Sequence, residues 1–336
     1  MMNVIFTADD YGVFDEIDNA IITAIQDQRI NSVAIFPNGN DLESRITKLK
    51  NAIPDGFNVE LGCHLTFCTG KPVSNAQPTP NFMDGPFFKS FKKTQRAHED
   101  HQPAEVEFLK AEIEAQIKRI EKLCGRVDHI TCHHNTLMWF KDYTDALLEK
   151  AKRQDGSSIP IRSPFFLPEN LFNTYSKLAI PFKNGFFFLR GNKTQRSYKK
   201  WRQEFDDLIQ GMIQNHGSIH PTGTFTKHYG PAGGLRLKDG EIDFQVAQRK
   251  HPALTEFLNN GEDGVFEVVF HLIEDDYSKR DKFRKKLKSH KRKKKWKQNR
   301  YPGINHGYVD GRMAEMRSLM AFPRPGIVFD NWSDLT

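Results

Sequence analysis

An apolar run, Val4-Ile5-Phe6, breaks abruptly into Thr7-Ala8-Asp9-Asp10-Tyr11-Gly12. A strand that ends in two adjacent carboxylates sets two anionic groups at the rim of a sheet, where α/β folds bind ligands. Like charges this close repel unless a cation or a shared proton sits with them. The chemistry on offer is metal binding and general-base catalysis. Asp-Asp-x-Gly alone is also ordinary turn and N-cap chemistry, so the downstream residues decide. Three more polar clusters end apolar runs: Gly62-Cys63-His64-Leu65-Thr66, Asp128-His129-Ile130-Thr131-Cys132-His133-His134-Asn135, and Phe270-His271-Leu272.

Side chains alternate along a strand, which sorts these clusters by face. His129, Thr131, His133 and Asn135 share one face, with Asp128, Ile130, Cys132 and His134 on the other. His64 likewise opposes Cys63. Either the histidines converge on the mouth of the sheet or the cysteines do. A zinc site of Cys63, Cys132 and a histidine is the competing arrangement. Structural zinc sites draw on ligands paired about two to four residues apart, and these cysteines lack that spacing. One aspartate with two histidines leaves coordination positions open for water and substrate. Such a site lowers the pKa of bound water or polarises a carbonyl, the means for hydrolysis at neutral pH. A second carboxylate can take the water's proton, and a further histidine can protonate a leaving amine.

The elements that must hold these residues alternate as βαβα, the pattern of a parallel sheet. Strands are expected at Asn3–Thr7, Ser32–Phe36, Phe57–Leu65, Val127–Cys132, Ile159–Arg162, Ser218–His220 and Val265–His271. Helices are expected at Glu16–Gln26, Asp41–Ala52, Ala104–Leu123, Tyr143–Arg153, Tyr198–Asn215, Phe244–Asn259 and Gly311–Met320, each with apolar residues at helical spacing or a cap such as Gly125. About seven strands without a nucleotide-binding glycine motif suit one irregular (β/α) barrel domain over 1–336. Long loops at 67–103 and 163–197 read as walls or lids over the barrel mouth. Phe67, Phe82, Phe87, Phe88, Phe91 and Trp139 lie in or beside them; they stack on sugar rings or simply pack the loops down.

A chain of 336 residues can bury a large α/β core. No signal-like segment opens it and no apolar run is long enough to span a membrane. Four cysteines are too few for a disulfide framework. A cytoplasmic setting is expected. The net charge of +7 is unevenly placed. Lys279–Arg300 holds 14 Lys or Arg against Asp281 alone; the remaining 35 basic and 41 acidic residues leave a body of −6. This basic segment reads as a solvated, mobile insertion, with a nonspecific anionic partner, nucleic acid or a membrane surface, as the alternative use. Phosphoester hydrolysis is disfavoured, because it usually asks for more carboxylates or two metals.

Taken in order, Thr7–Gly12, Gly62–Thr66 and His129–His133 resemble the YdjC-like carbohydrate (chitooligosaccharide) deacetylases. Ile161-Arg162-Ser163-Pro164, the strand end Glu267–His271, and Arg312, Glu315 and Leu319 extend the likeness over nearly the whole chain. The resemblance implies an irregular β/α barrel that removes acetyl groups from small N-acetylated sugars with one divalent metal ion, Mg2+ or Zn2+. It implies Asp10, His64 and His133 as metal ligands and Asp9 as general base. His271 is then the acid or transition-state stabiliser, and Arg162 holds a substrate hydroxyl or orients Asp9. Barrels of this size often pair, so a homodimer is compatible. The chain departs from the family at Thr131 and Asn135, which replace an acidic residue and a histidine, and at Leu272, which replaces a proline. The first two positions lie where ligand orientation is tuned.

Overall fold

A computed structural model describes residues 2–90, 103–139, 141–162, 207, 210–221, 223–225, 237–238, 241–242, 264–292, 309–321 and 329–335. The chain runs β1 (Met2–Tyr11), α1 (Asp15–Gln26), β2 (Ser32–Ile35), α2 (Leu42–Asn51) and β3 (Glu60–Leu65). A small hairpin follows, β4 (Met83–Asp84) and β5 (Phe87–Phe88), then α3 (Pro103–Cys124) and β6 (Ile130–Cys132). A 3-10 helix (His133–Trp139) leads into α4 (Lys141–Lys150). The later elements are β7 (Gly223–Phe225), the hairpin β8 (Leu237–Lys238) and β9 (Glu241–Ile242), β10 (Gly264–Phe270), α5 (Tyr277–Arg292) and α6 (Val309–Ala321).

Six strands form one sheet in the order β6-β3-β2-β1-β10-β7, and every pairing in it is parallel. Parallel strands are covered on both faces, and the sequence supplies what that needs: all of β2 and β3 is buried. Helix α1 lays Ile17, Ala20, Ile21, Ala24 and Ile25 into the core and places Asp15, Glu16 and Asp18 in its first turn, where the helix dipole favours them.

The expected strands, helices and structure agree closely up to residue 150, with differences that have local causes. Strand β1 does not stop at Thr7. Its register with β2 shifts between Ala8 and Tyr11, and Asp10 takes a left-handed φ of 75°. The expected strand Ile159–Arg162 is a single parallel bridge, Ile130 to Ile161, although its hydrogen bonds follow a parallel ladder. Ile130 N–H donates to Pro160 O at 2.8 Å and Arg162 N–H donates to Ile130 O at 2.8 Å. On the other side, Ile161 N–H donates to Ile219 O at 2.9 Å. Ser218–His220 forms no strand, and pairing resumes at β7. The helix at Phe244–Asn259 and the loop at 163–197 lie outside the described residues.

Four of the aromatics expected at the mouth are described; Phe91 and the side chain of Trp139 lie outside the described residues. Phe67, Phe82, Phe87 and Phe88 are all buried, with Phe67 set against both Phe82 and Phe88. They pack the loop onto the sheet. The basic segment also differs from expectation, since its first part is helix α5. Phe283 is fully buried, edge-on to Phe14, and Arg280 and Arg284 face Asp310 of α6 at 3.8 and 3.2 Å. The first turns of α5 thus belong to the fold. Among the described residues no helix is long and apolar enough to cross a membrane.

Candidate active site

Alternation places Asp9 and Asp10 on opposite faces of a regular strand. The irregular register and the left-handed backbone at Asp10 remove that separation, and both carboxylates reach His64. Asp10 Oδ1 is 3.5 Å from His64 Nε2 and Asp9 Oδ2 is 4.0 Å from the same nitrogen. The loop that follows is held by Gly12, at φ 93°, whose N–H donates to Asp18 Oδ1 at 2.8 Å. A Cβ there would press on Leu42 Cδ1 as well as strain the backbone.

The histidines of β3 and of the β6 end converge, one of the two arrangements that alternation leaves open. His133 Nδ1 lies 3.2 Å from Asp10 Oδ1 and 3.3 Å from His64 Nε2. His64 Nδ1 and Thr131 Oγ1 share a hydrogen bond at 2.6 Å, so the residue that departs from the family pattern orients the ring directly. Asp10, His64 and His133 each offer a ligand atom within 4.8 Å of the others, and all three are buried. Asp10 Oδ1 is buried without a hydrogen-bond partner, an open acceptor aimed at two imidazoles. A carboxylate oxygen and two imidazole nitrogens suit zinc and other divalent ions. The residues fit a metal ion. Cys63 and Cys132, buried on the opposite side of their strands, belong to no metal-capable group among the described residues.

Asp9 is organised differently. Arg162 holds it through a two-pronged pair, Nη1 to Oδ2 at 2.7 Å and Nη2 to Oδ1 at 2.8 Å. The same guanidinium donates to Glu267 from Nε at 2.8 Å and from Nη2 at 2.6 Å. Arg162 is thus a buried fork between two carboxylates, which explains why an arginine and not a lysine stands there. His271 Nε2 is 3.7 Å from Asp9 Oδ2, and its ring is partly exposed, facing outward from the buried cluster. Its backbone N–H donates to Glu315 Oε2 at 2.7 Å. Arg312, also on α6, donates from Nη2 to Asp10 Oδ2.

Burial pushes both aspartates toward the protonated form, but positive neighbours overcome it. Asp9 falls below the usual carboxylate range because of Arg162 and then His64; Asp10 falls well below it because of Arg312 and the two imidazoles. Burial holds Glu267 above its ordinary value, with Arg162 opposing. Burial lowers His133 against the pull of Asp10, and the net downward shift favours a neutral, ligating imidazole there at physiological pH. Two adjacent anions with separate arginines and a neutral imidazole beside them can bind a cation and accept a proton at once.

Below this layer sits His129, stacked on Trp332 with ring centroids 4.5 Å apart at 13°. Its ring occupies the space a Cβ would need at position 62, which is the physical reason for Gly62. Trp332 Nε1–H donates to Ser32 Oγ at 3.0 Å, and Ser333 N–H donates to Glu60 Oε1 at 3.0 Å. The C-terminal segment therefore floors the sheet beneath the site. Glu267, Arg312 and Glu315 stand out in the sequence only through the family resemblance, without these roles, and Trp332 not at all; the one local signal is that a lone glutamate inside the apolar run Val265–Phe270 asks for a partner.

Curated proteins named carbohydrate deacetylase match up to about half of the chain. The relative from Oceanobacillus iheyensis is 26% identical over 161 residues, 48% of this chain and 64% of its own length. That from Thermoanaerobacter pseudethanolicus is 27% identical over 166 residues, 48% and 61%. That from Vibrio campbellii is 31% identical over 135 residues, 40% and 49%. The matched region thus spans about half to two thirds of these relatives' length. The fold of an Enterococcus faecalis protein described as a cellobiose-phosphate cleavage protein superposes with a TM-score of 0.59 at 16% identity, over 98% of this chain and 97% of that one. The family model described as YdjC-like protein matches residues 3–305, and the chain belongs to that family.

Proposed function

We propose that the protein is a metal-dependent carbohydrate deacetylase, which hydrolyses the acetamide of a small N-acetylated sugar to acetate and an amino sugar. The observation that carries this reading is the Asp10–His64–His133 set, with ligand atoms within 4.8 Å and an open Asp10 oxygen, next to an Asp9 held in a separate guanidinium fork. The relatives named carbohydrate deacetylase support it. Asp10, His64 and His133 hold one divalent ion, Mg2+ or Zn2+. Bound there, such an ion polarises a carbonyl and acidifies water. Asp9, ionised and oriented by Arg162, takes the proton of the attacking water. His271, beside Asp9 and open to the surface, carries a proton to the leaving nitrogen or steadies the charge that builds on the carbonyl oxygen. Glu267 locks Arg162, and the α6 residues Arg312 and Glu315 fix Asp10 and the His271 backbone.

The same reading takes the parallel sheet to be an irregular barrel of about seven strands. What supports it is the hydrogen bonding of segment 159–162 to Ile130 on one side and Ile219 on the other, with β7 next in the chain and paired to β10. The test of function is acetate release from a panel of N-acetylated mono- and oligosaccharides, with chelator and metal add-back. Release that is lost to chelator and restored by a divalent ion is expected. No release from any sugar, with metal bound to the protein, overturns the reading.

A further inference from the structure

His133 has two edges, and the site described above uses only one. Its Nδ1 faces Asp10 and His64, while Nε2, on the other edge of the ring, is buried without a hydrogen-bond partner. A second group of ligand atoms includes the same residue: Cys68, His133 and His134 each offer one within 4.8 Å of the others. Cys68 is a free thiol with no exposed surface. His134 lies at the surface, its ring centroid 4.2 Å from that of His133.

The backbone at His134 is unusual. Its φ of 59° is left-handed, a conformation a non-glycine residue adopts only where its surroundings hold it there. It falls at the start of the 3-10 helix that follows β6, and it keeps two consecutive histidine rings side by side.

We propose that Cys68, His133 and His134 form a second metal site, selective for a thiophilic ion such as Zn2+, which shares the His133 ring with the Asp10–His64–His133 set. One sulfur and two imidazoles suit a borderline-soft ion, whereas the carboxylate-containing set also admits harder ones. His134 at the surface supplies the route of entry, and a fourth position stays open to water. Coordination releases the Cys68 thiol proton to solvent, and filling both sites also releases the His133 ring proton, which leaves a bridging imidazolate. The proposal does not depend on the deacetylase reading, since it concerns binding and no reaction.

Cobalt(II) titration of the full chain tests it, with bound metal counted and the near-ultraviolet thiolate-to-cobalt absorption recorded. The wild type is expected to bind about two ions per chain and to show the thiolate absorption. Cys68→Ser should lose that absorption and about one ion, keeping the other. Asp10→Asn, close in shape to the native residue, should keep the absorption and lose the other ion. His134→Gln reports on the same set without touching the buried thiol, and should weaken the absorbing site at least tenfold. Absence of the absorption in the wild type overturns the proposal. So does its loss in Asp10→Asn, which would make the sulfur part of a single centre. Failure of sugar deacetylation leaves all of these readings unchanged, so the two conclusions fail separately.

Discussion

Arg162 is the residue whose removal the structure prices most clearly. Its guanidinium is buried between Asp9 and Glu267, two carboxylates that are themselves almost entirely shielded from water. Replacing it with methionine keeps much of the volume but leaves both carboxylates without their shared counter-charge. Breaking a buried pair from one side costs about 3–5 kcal/mol. At ~2.1 cal/mol/K per residue, a chain of 336 residues unfolds with an entropy of ~0.7 kcal/mol/K, so the melting temperature should fall by about 4–7 °C. The sign of the pH dependence should change too. In the wild type Asp9 is depressed, so its contribution is complete above its unfolded value of 3.8 and is lost as the pH falls below it. Without Arg162, burial prevails and the Asp9 value rises. Arg162→Met should then lose stability as the pH rises from about 4 toward 7, the range in which the unfolded carboxylates ionise first. Calorimetric melts of both proteins from pH 4 to 8 read this out. Arg162→Lys should recover part of the stability but less of the turnover, because an ammonium cannot hold both Asp9 oxygens in one plane. A melting temperature within about 1 °C of wild type at pH 7, or a parallel pH profile, would refute the assignment of Arg162 as the counter-charge.

The remaining expectations follow from single contacts. Asp10→Ala and His64→Ala should lose the ion of the Asp10–His64–His133 set together with turnover, whereas Asp9→Asn should keep that ion and lose turnover; elemental analysis in a Cys68→Ser background alongside acetate release separates the two classes. Gly62→Ala should displace His129 and cost about 1–3 kcal/mol by overpacking, measured by denaturant titration, and an unchanged midpoint would show that the ring has room to move. Trp332→Ala removes the ring beneath His129 and should cost about 3–5 kcal/mol, with greater amide exchange along β2 and β3 if the C-terminal segment is the floor.

Much of the site was legible in the sequence because strands impose alternation. His129, Thr131 and His133 share a face, and the structure brings Thr131 to His64, His133 to Asp10, and His129 under Gly62. Alternation fails at Asp9-Asp10, where it separates two residues that meet at His64. No residue type there announces a left-handed Asp10, so the irregularity is visible only in the register of β1 with β2. Arg312 lies 302 positions from Asp10, and Arg162 lies 105 from Glu267. Pairings of that span leave no periodic trace. Helix α6 defeats the amphipathic test for another reason: it is buried on nearly every side, so polar Arg312 and Glu315 do not mark a solvent face. The basic count over Lys279–Arg300 was equally uninformative about α5, because Phe283 and the Asp310 contacts, rather than the sum of charge, decide where its first turns lie.

The arrangement of charge explains why two adjacent aspartates can do different work. Asp9, Asp10 and Glu267 carry three negative charges into a shielded volume, while Arg162 and Arg312 bring two positive ones. The imidazoles of His64 and His133 cannot ligate as imidazolium, and with both neutral the described group sums to −1. A buried cluster left with negative charge favours cation binding over a further anion. Each aspartate also has its own guanidinium, and the geometry of that contact sets its role. Arg162 covers both oxygens of Asp9 in one plane and fixes it as an ionised, oriented acceptor. Arg312 takes only Oδ2 of Asp10, and Oδ1 is left facing His64 and His133. In the proposed mechanism, the division between base and ligand follows from which oxygens the arginines occupy. Because Arg312 sits on α6 and α6 is tied through Asp310 to Arg280 and Arg284 of α5, the basic helix braces the ligand carboxylate from outside the sheet. Weakening that brace with Asp310→Asn should lower metal affinity without touching any ligand, by less than the ~10–100-fold that loss of a direct outer partner such as Arg312 brings. Competition with a chromophoric chelator measures both variants. Equal affinities for Asp310→Asn, Arg312→Met and wild type would show that Asp10 holds its position without help from α6.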